Sequence, residues 1–514
     1  MQSTPSSVQS TLTPTVPPGG LGPLIPKLGG GRPVPLTHVV LVVFFLAGLA
    51  DWLILWENTG LSLALLVAAI SAVVTVLGRR DWPVLAFAIV APLLLAIEVT
   101  ALSVTLAFFA LALAGMLAAG RGPRSVASVL PALIRFMAWT PFRLFADSWR
   151  GALIARRRPM VVKLNAAIWV MPIICGLVFV SLFAEANPIF ADLLGYLDPF
   201  AWLTENGVLR LMFWAFAIIA IWPFLRPARA MRFKTVAMRA PKTESIVFGE
   251  PAILRALLIF NALFALQTAL DLVYLTGGAA LPEGMTYANY AHRGAYPLVA
   301  TAMLAAGFVL AALRDGSASA ANPLIRRLVY LWIAQNVVLT ATAAFRNALY
   351  VEAYGLTELH LAAFVWMGLV ALGLMLIIAR IAWRRSGAWL VSCNTVVLGV
   401  TLIVATLMNT SAFIADYNVS KWLGDPDRVT AIDTGYLMRL GPQAIPAVDR
   451  LLAAPNNMSD DDAWRLFEWR ASCARIILTR SEDWRAFTIR EANLAQYLST
   501  HDITHSGPAA LPEL

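Results

Sequence analysis

Eight side chains able to bind or carry charge stand in or beside long apolar stretches: Asp51, Gln267, Asp271, Arg293, Arg346, Tyr350, Glu352 and Tyr354. An ionised group at the centre of a bilayer costs about 2.5–3.5 kcal/mol on insertion scales, so each such group needs a partner or a task. Gln267, Asp271 and Tyr274 recur at i, i+4 and i+7, which is one stripe of a helix. Arg346, Tyr350 and Tyr354 recur at i, i+4 and i+8 with Glu352 close by, and Asn336, Thr340 and Asn347 form a neighbouring stripe. The chemistry this set supports is recognition. A guanidinium presents paired donors to a carboxylate or phosphate, so Arg346 would anchor an anion in an outward-facing polar cavity, with Asp271 as its counter-charge. The same residues serve equally as interface anchors and interhelical hydrogen bonds, and both readings stand at this stage. His292 and His360 fall on the same side and make a candidate pH-sensitive pair. Tyr287 and Tyr290, beside Arg293, read as part of an aromatic belt.

Catalytic and cofactor signatures are missing. No third His or Cys ligand accompanies the histidines, and Cys175, Cys393 and Cys473 are scattered, with neither CxxC spacing nor a disulfide framework. The sequence contains no Walker A loop, no GxGxxG after a strand, no HExxH and no GxSxG. We therefore expect no metal and no cofactor, and neither an ATP-driven pump nor a kinase; the balance is against an enzyme.

The elements that position these residues follow from composition. Of 514 residues, 59% are hydrophobic and 13% charged, and the mean hydropathy is +0.71. Soluble domains are roughly 45–50% apolar and 25% charged. The chain reads as an all-α polytopic membrane bundle of eleven spans, near 38–56, 61–78, 83–97, 100–119, 165–184, 207–225, 254–275, 296–313, 328–349, 360–380 and 388–408. Basic residues crowd into every second gap: nine in 120–163 and seven in 226–255, against none in 185–206. That alternation is the positive-inside pattern. It also resolves residues 83–119, which as one helix would run about 55 Å against a hydrocarbon core of about 30 Å. Arg79 and Arg80 precede this stretch and Arg121 and Arg124 follow it, so the chain crosses an even number of times and turns near Glu98. With the N-terminus cytoplasmic, eleven crossings place the C-terminal tail outside. The net charge of +9 belongs to these loops and to anionic lipid headgroups, not to nucleic acid. Arg outnumbers Lys 34 to 5, which points to a GC-rich bacterial source and an inner membrane.

Outside the bundle (37–411), residues 1–36 are rich in Pro, Gly, Ser and Thr and read as disordered. Residues 124–158 interleave arginines with Phe136, Trp139, Phe142, Phe145 and Trp149. They read as an amphipathic helix on the cytoplasmic face, binding anionic lipid through Arg124–Arg158 and broken at Pro131 and Pro141. From about 412 the composition becomes that of a soluble domain. Residues 412–500 are expected to form three or four packed helices, one beginning at Asp460-Asp461-Asp462, where carboxylates meet a positive helix end. This tail is the expected docking surface for a membrane or periplasmic partner protein, and 501–514 reads as a flexible end.

The run Arg346-Asn347-Ala348-Leu349-Tyr350-Val351-Glu352-Ala353-Tyr354-Gly355-Leu356-Thr357 resembles the signature of two families of uncharacterised bacterial membrane proteins, DUF4173 and DUF4153. Other pieces resemble DUF4173 in the same order: Ala50-Asp51-Trp52-Leu53, Glu185-Ala186-Asn187-Pro188-Ile189-Phe190, Thr286–Gly294 and Ile432-Asp433-Thr434-Gly435-Tyr436-Leu437. The resemblance implies a multi-span protein with no assigned activity. The sequence thus favours an envelope sensing, assembly or regulatory component acting through its outer face. A secondary transporter of a small polar or anionic solute using Arg346 and Asp271 is the alternative, with an enzyme acting on a lipid-linked substrate third.

Overall fold

The computed structural model describes residues 36–156, 205–227, 249–275, 322–424, 432–454 and 458–501, with Pro172 and Phe179. Among them there is no strand. Residues 1–35 and 502–514 lie outside the described residues, as do the expected spans 165–184 and 296–313. The other nine expected spans are helices: α1 (Leu36–Ile54), α2 (Leu61–Leu77), α3 (Trp82–Ile97), α4 (Ala101–Ala118), α6 (Glu205–Leu225), α7 (Glu250–Leu275), α8 (Pro323–Tyr354), α9 (Glu358–Ala382) and α10 (Gly387–Leu407). Between α4 and α6 lies α5 (Val129–Arg156). Seven described helices, α5 among them, are long and apolar enough to cross a membrane, and α1 to α3 are shorter apolar helices. The chain is a polytopic helical membrane bundle.

The turn expected near Glu98 is present. Helix α3 ends at Ile97 with Glu98 as its C-cap, and Thr100 caps α4 by accepting from Ser103 N–H in a reciprocal capping box. The cap satisfies donors that the membrane would otherwise leave unpaired. At the opposite end of this hairpin the chain passes so close that a Cβ on Gly78 would stand 2.5 Å from Ala118 Cβ. Small residues set the next contact as well: a Cβ on Gly115 would stand 2.6 Å from the Phe224 carbonyl oxygen, which locks α4 against α6.

Two apolar cores result. The first joins α1 to α6 around Leu46, Leu53, Leu95, Leu111 and Trp222. The second joins α7, α8, α9 and α10 around Leu257, Ile325, Val329, Trp332 and Ile377. Helix α8 has 32 residues, about 48 Å, so its last turns project beyond a core of about 30 Å. There Val351 and Leu356 join a third core with the tail.

The tail comprises α11 (Thr410–Leu423), α12 (Thr434–Arg439), α13 (Ile445–Ala453), α14 (Asp460–Ser481) and α15 (Ile489–Thr500). Helix α14 begins at Asp460 with Ser459 as N-cap. Its Arg470 donates to the buried carboxylate of Asp449 at 3.1 Å, and Tyr497 O–H donates to the same carboxylate at 3.1 Å. This fully partnered network ties α13, α14 and α15 together.

One expectation fails. Pro131 and Pro141 do not break the 129–156 segment, because α5 is continuous through Pro141. Pro131 falls in the first turn, where its missing N–H has no intrahelical partner to lose. Pro141 removes one hydrogen bond, which the packing of Ala132, Leu133 and Phe136 into the first core offsets.

Candidate functional site

The tail sits on one end of the bundle, held by groups from three turns. Arg490 pairs with Glu98 at the α3–α4 turn and donates to the Thr406 carbonyl of α10 at 2.8 Å. Arg485 pairs with Glu57 at 3.6 Å and lies over the Trp52 and Trp484 rings. Asn58 donates to Asp483 at 3.4 Å, and Ser62 N–H donates to the Arg485 carbonyl at 3.2 Å. Burial pushes the Glu491 carboxyl above its ordinary range, against the attraction of Arg480. Glu57 and Glu98 thus mark the tail-bearing end, and Arg79, Arg80, Arg121 and Arg226 lie at the other.

Beside this junction is a cleft of about 450 Å³, lined by the α8–α9 turn (Tyr354 to Leu359), by Asn418, Lys421 and Trp422 of α11, and by Ile432, Asp433, Tyr436 and Arg439. Its walls are fixed by hydrogen-bonded and ion-paired polar groups. Asn418 donates to the Leu356 carbonyl at 2.8 Å and accepts from Leu356 N–H at 2.7 Å, acting as a surrogate peptide. Lys421 donates to the last carbonyls of α8, Val351 at 3.1 Å and Glu352 at 2.8 Å, and pairs with the Glu352 carboxylate at 3.0 Å. A cation there satisfies the orphan acceptors and the negative end of the helix. Gly355 supplies the turn at φ +91, a region that side chains disfavour. The phenol of Tyr436 accepts from Glu358 N–H at 2.9 Å, and burial raises its pKa above the ordinary tyrosine value.

The eight residues singled out from sequence do not converge. Tyr354 lines the cleft, and its ring stacks at 4.7 Å on Tyr350, which also meets His360 at 4.7 Å. Glu352 lies about half a turn from each of them, on the other side of α8, paired with Lys421. Arg346 lies two turns deeper on α8 and is buried, at 8% exposure, away from the cleft. Gln267 is exposed on α7; the Asp271 side chain, Arg293, His292, Tyr287 and Tyr290 lie outside the described residues. Asp51 belongs to a different contact. It is buried between α1 and α6 and accepts from Arg210 Nε at 3.0 Å through both oxygens. Arg210 was visible as a cation on the arginine-poor side, but only the packing of α6 on α1 reveals its partner.

Deeper along α8 the bundle is apolar. Trp332 stacks on Phe260 at 5.3 Å and meets Phe264 edge-on at 5.8 Å, with Ile325, Val329 and Ile333 buried around them. Asn336 donates to the Trp332 carbonyl one turn back on α8 at 2.7 Å and Asn261 to Leu257 within α7, while Asn261 to Leu328 and Gln335 to the Asn261 carbonyl cross between α7 and α8. The side-chain oxygens of Asn261 and Gln335 are buried with no hydrogen-bond donor among the described residues. Among the described residues no group of His, Cys, Asp and Glu side chains could hold a metal.

Fold and site define a polytopic helical membrane protein whose helical tail is docked on one end of its bundle. The chain belongs to DUF4153, described as a domain of unknown function, which matches residues 83–451. The match spans the second apolar core, the part of the first built by α3 to α6, the cleft and the first half of the tail. No curated protein and no solved structure was found similar to the chain.

Proposed function

We propose that this is a regulatory or assembly component of a bacterial inner membrane. It acts through the tail-bearing end, which the arginine pattern assigns to the outside, with the N-terminus cytoplasmic and the narrower DUF4173 likeness carried by Arg346–Thr357. The observation that carries this reading is the placement of the cleft. It lies where α8 and α9 meet the tail, above a layer in which Trp332, Phe260 and Phe264 close the described helices. A solute carrier needs a polar path through that layer, and the packed rings of Trp332, Phe260 and Phe264 fill it between α7 and α8. A regulator needs a rigid bundle and a recessed surface at its boundary, and the partner would be a membrane or periplasmic protein bound at Tyr354, Leu359, Tyr436 and Arg439.

The test is photo-crosslinking in living cells. A photoreactive residue at Tyr354 or Leu359 is expected to give a discrete adduct with a partner, while one at Ile259, exposed on the lipid-facing flank of α7, gives none. No adduct at either cleft position, together with solute uptake that is lost in Arg346→Ala, would overturn the reading in favour of transport.

A further inference from the structure

Helix α5 has two apolar faces. One face, with Ala132, Leu133, Phe136 and Leu144, packs into the first core. The opposite face carries Leu130, Ile134, Met137, Phe142, Phe145 and Trp149, each between 46% and 70% exposed. At 100° per residue these six fall within one continuous sector that holds no charged residue between Leu130 and Trp149, and Arg156 returns to it only at the end of the helix. An uncovered apolar face of this size is not left in water.

The direction of α5 says what covers it. Phe136 meets the Phe224 ring at 5.5 Å. Arg143 donates to the Arg226 carbonyl at 2.8 Å, and Asp147 accepts from Trp222 Nε1 at 3.2 Å and pairs with Arg226 at 3.8 Å. Phe136 and Asp147 are about 16 Å apart along α5, yet both contact the last turn of α6. Two helices packed side by side would spread those contacts over as many residues of each, so α5 crosses the end of α6. That end is the arginine-rich one, where Arg121 donates to the Pro227 carbonyl. Arg135 borders the apolar sector, and Arg124 is exposed just before the helix. Cations beside a charge-free sector of aromatic and aliphatic side chains match anionic headgroups above acyl chains.

We infer that α5 lies in the plane of the membrane, with its Leu130–Trp149 face sunk into the lipid leaflet at the arginine-rich end. By length and hydropathy alone the same segment qualifies as a span; its crossing of α6 makes it an in-plane helix.

Full-length protein carrying a single spin-labelled cysteine at Ile134, Met137 or Phe145, with Cys175, Cys393 and Cys473 replaced by Ser, tests this in vesicles of mixed zwitterionic and anionic phospholipid. Collisions with oxygen are expected to exceed those with a water-soluble nickel chelate at all three positions, with depths that differ by less than half of the ~16 Å a spanning helix would put between Ile134 and Phe145. Dominant nickel collisions, exclusion of both reagents as under a protein cover, or the full depth gradient would each overturn the inference. Photolabelling of the unmodified protein by a lipid-dissolved diazirine is a second measurement that needs no variant to fold: label is expected in the Leu130–Trp149 peptide, and its absence there while α7 is labelled overturns the inference too.

Discussion

Arg490 in the first turn of α15 joins the α3–α4 turn to the end of α10: it pairs with Glu98 and donates to the Thr406 carbonyl in the last turn of α10. The guanidinium is 11% exposed and the carboxylate 27%, so the pair is largely shielded. Removing one partner leaves the other desolvated, at about 1–3 kcal/mol. Glu98→Ala is expected to loosen the tail without unfolding the bundle, read as faster protease cleavage after α10. The exchanged pair Glu98→Arg with Arg490→Glu is expected to restore part of the protection.

Gly60 tests the same docking by shape. A Cβ at this position would stand 2.2 Å from the Ala486 carbonyl oxygen and 2.9 Å from Ala486 Cα, both backbone atoms with no side chain to yield. Gly60→Ala is expected to displace the 483–487 segment, while Gly120→Ala, where φ is +64 but no atom lies within 4 Å, leaves the tail seated. Chemical cross-linking between cysteines at Asn58 and Asp483 reports the difference: the cross-link forms in the parent background and is lost with Gly60→Ala.

Asn418 holds the cleft wall. Asn418→Ala leaves Leu356 N–H and its carbonyl without their shared partner, at about 1–3 kcal/mol for each buried group. Asn418→Asp keeps an acceptor for the N–H but places an anion against the carbonyl. Both variants are expected to weaken a cross-link from Leu359 to a partner, with Asn418→Ala leaving abundance less affected than the loss of a core residue such as Ile414→Ala, which empties a fully buried site at a typical cost of about 2–5 kcal/mol.

The tail has a built-in alkaline limit. Burial, reinforced by Asp449, pushes the Tyr497 phenol up to about 12 from its ordinary 10. A group whose pKa is raised by folding contributes stability that is complete below the unfolded value. That contribution is lost as pH climbs through the folded one. The tail is therefore expected to lose stability between about pH 10 and 12. Tyr497→Phe is expected to be weaker at neutral pH, by one hydrogen bond, and flat across that window. Absorbance of ionised tyrosine alongside tail proteolysis checks both.

The sequence carried the hairpin at Glu98, because it depends on where charges fall between apolar stretches. Only the structure shows Arg485 and Arg490 of the tail meeting Glu57 and Glu98 at one end of the bundle. The pairing of Asp51 with Arg210 was not legible, since it depends on how α1 and α6 are rotated against one another. Arg346 was grouped with Tyr350 and Tyr354 by helical spacing, with Glu352 close by. Spacing says nothing of depth: Glu352 stands beyond the bundle on Lys421, while Arg346 is enclosed by it. Asn418 and Tyr436, which shape the cleft, sit in stretches of ordinary polar composition, and only their meeting with residues 356–358 marks them.

The account rests on a bundle closed beneath the cleft, and cysteine accessibility across a sealed proteoliposome tests it most directly. A cysteine replacing Leu359, which is 78% exposed, is expected to react with a membrane-impermeant maleimide from the tail-bearing side. A cysteine replacing Asn336, 4% exposed below Arg346, is expected to remain unlabelled from either side in the same folded protein. Labelling at Asn336 would reveal a water-filled path along α8 and contradict the account.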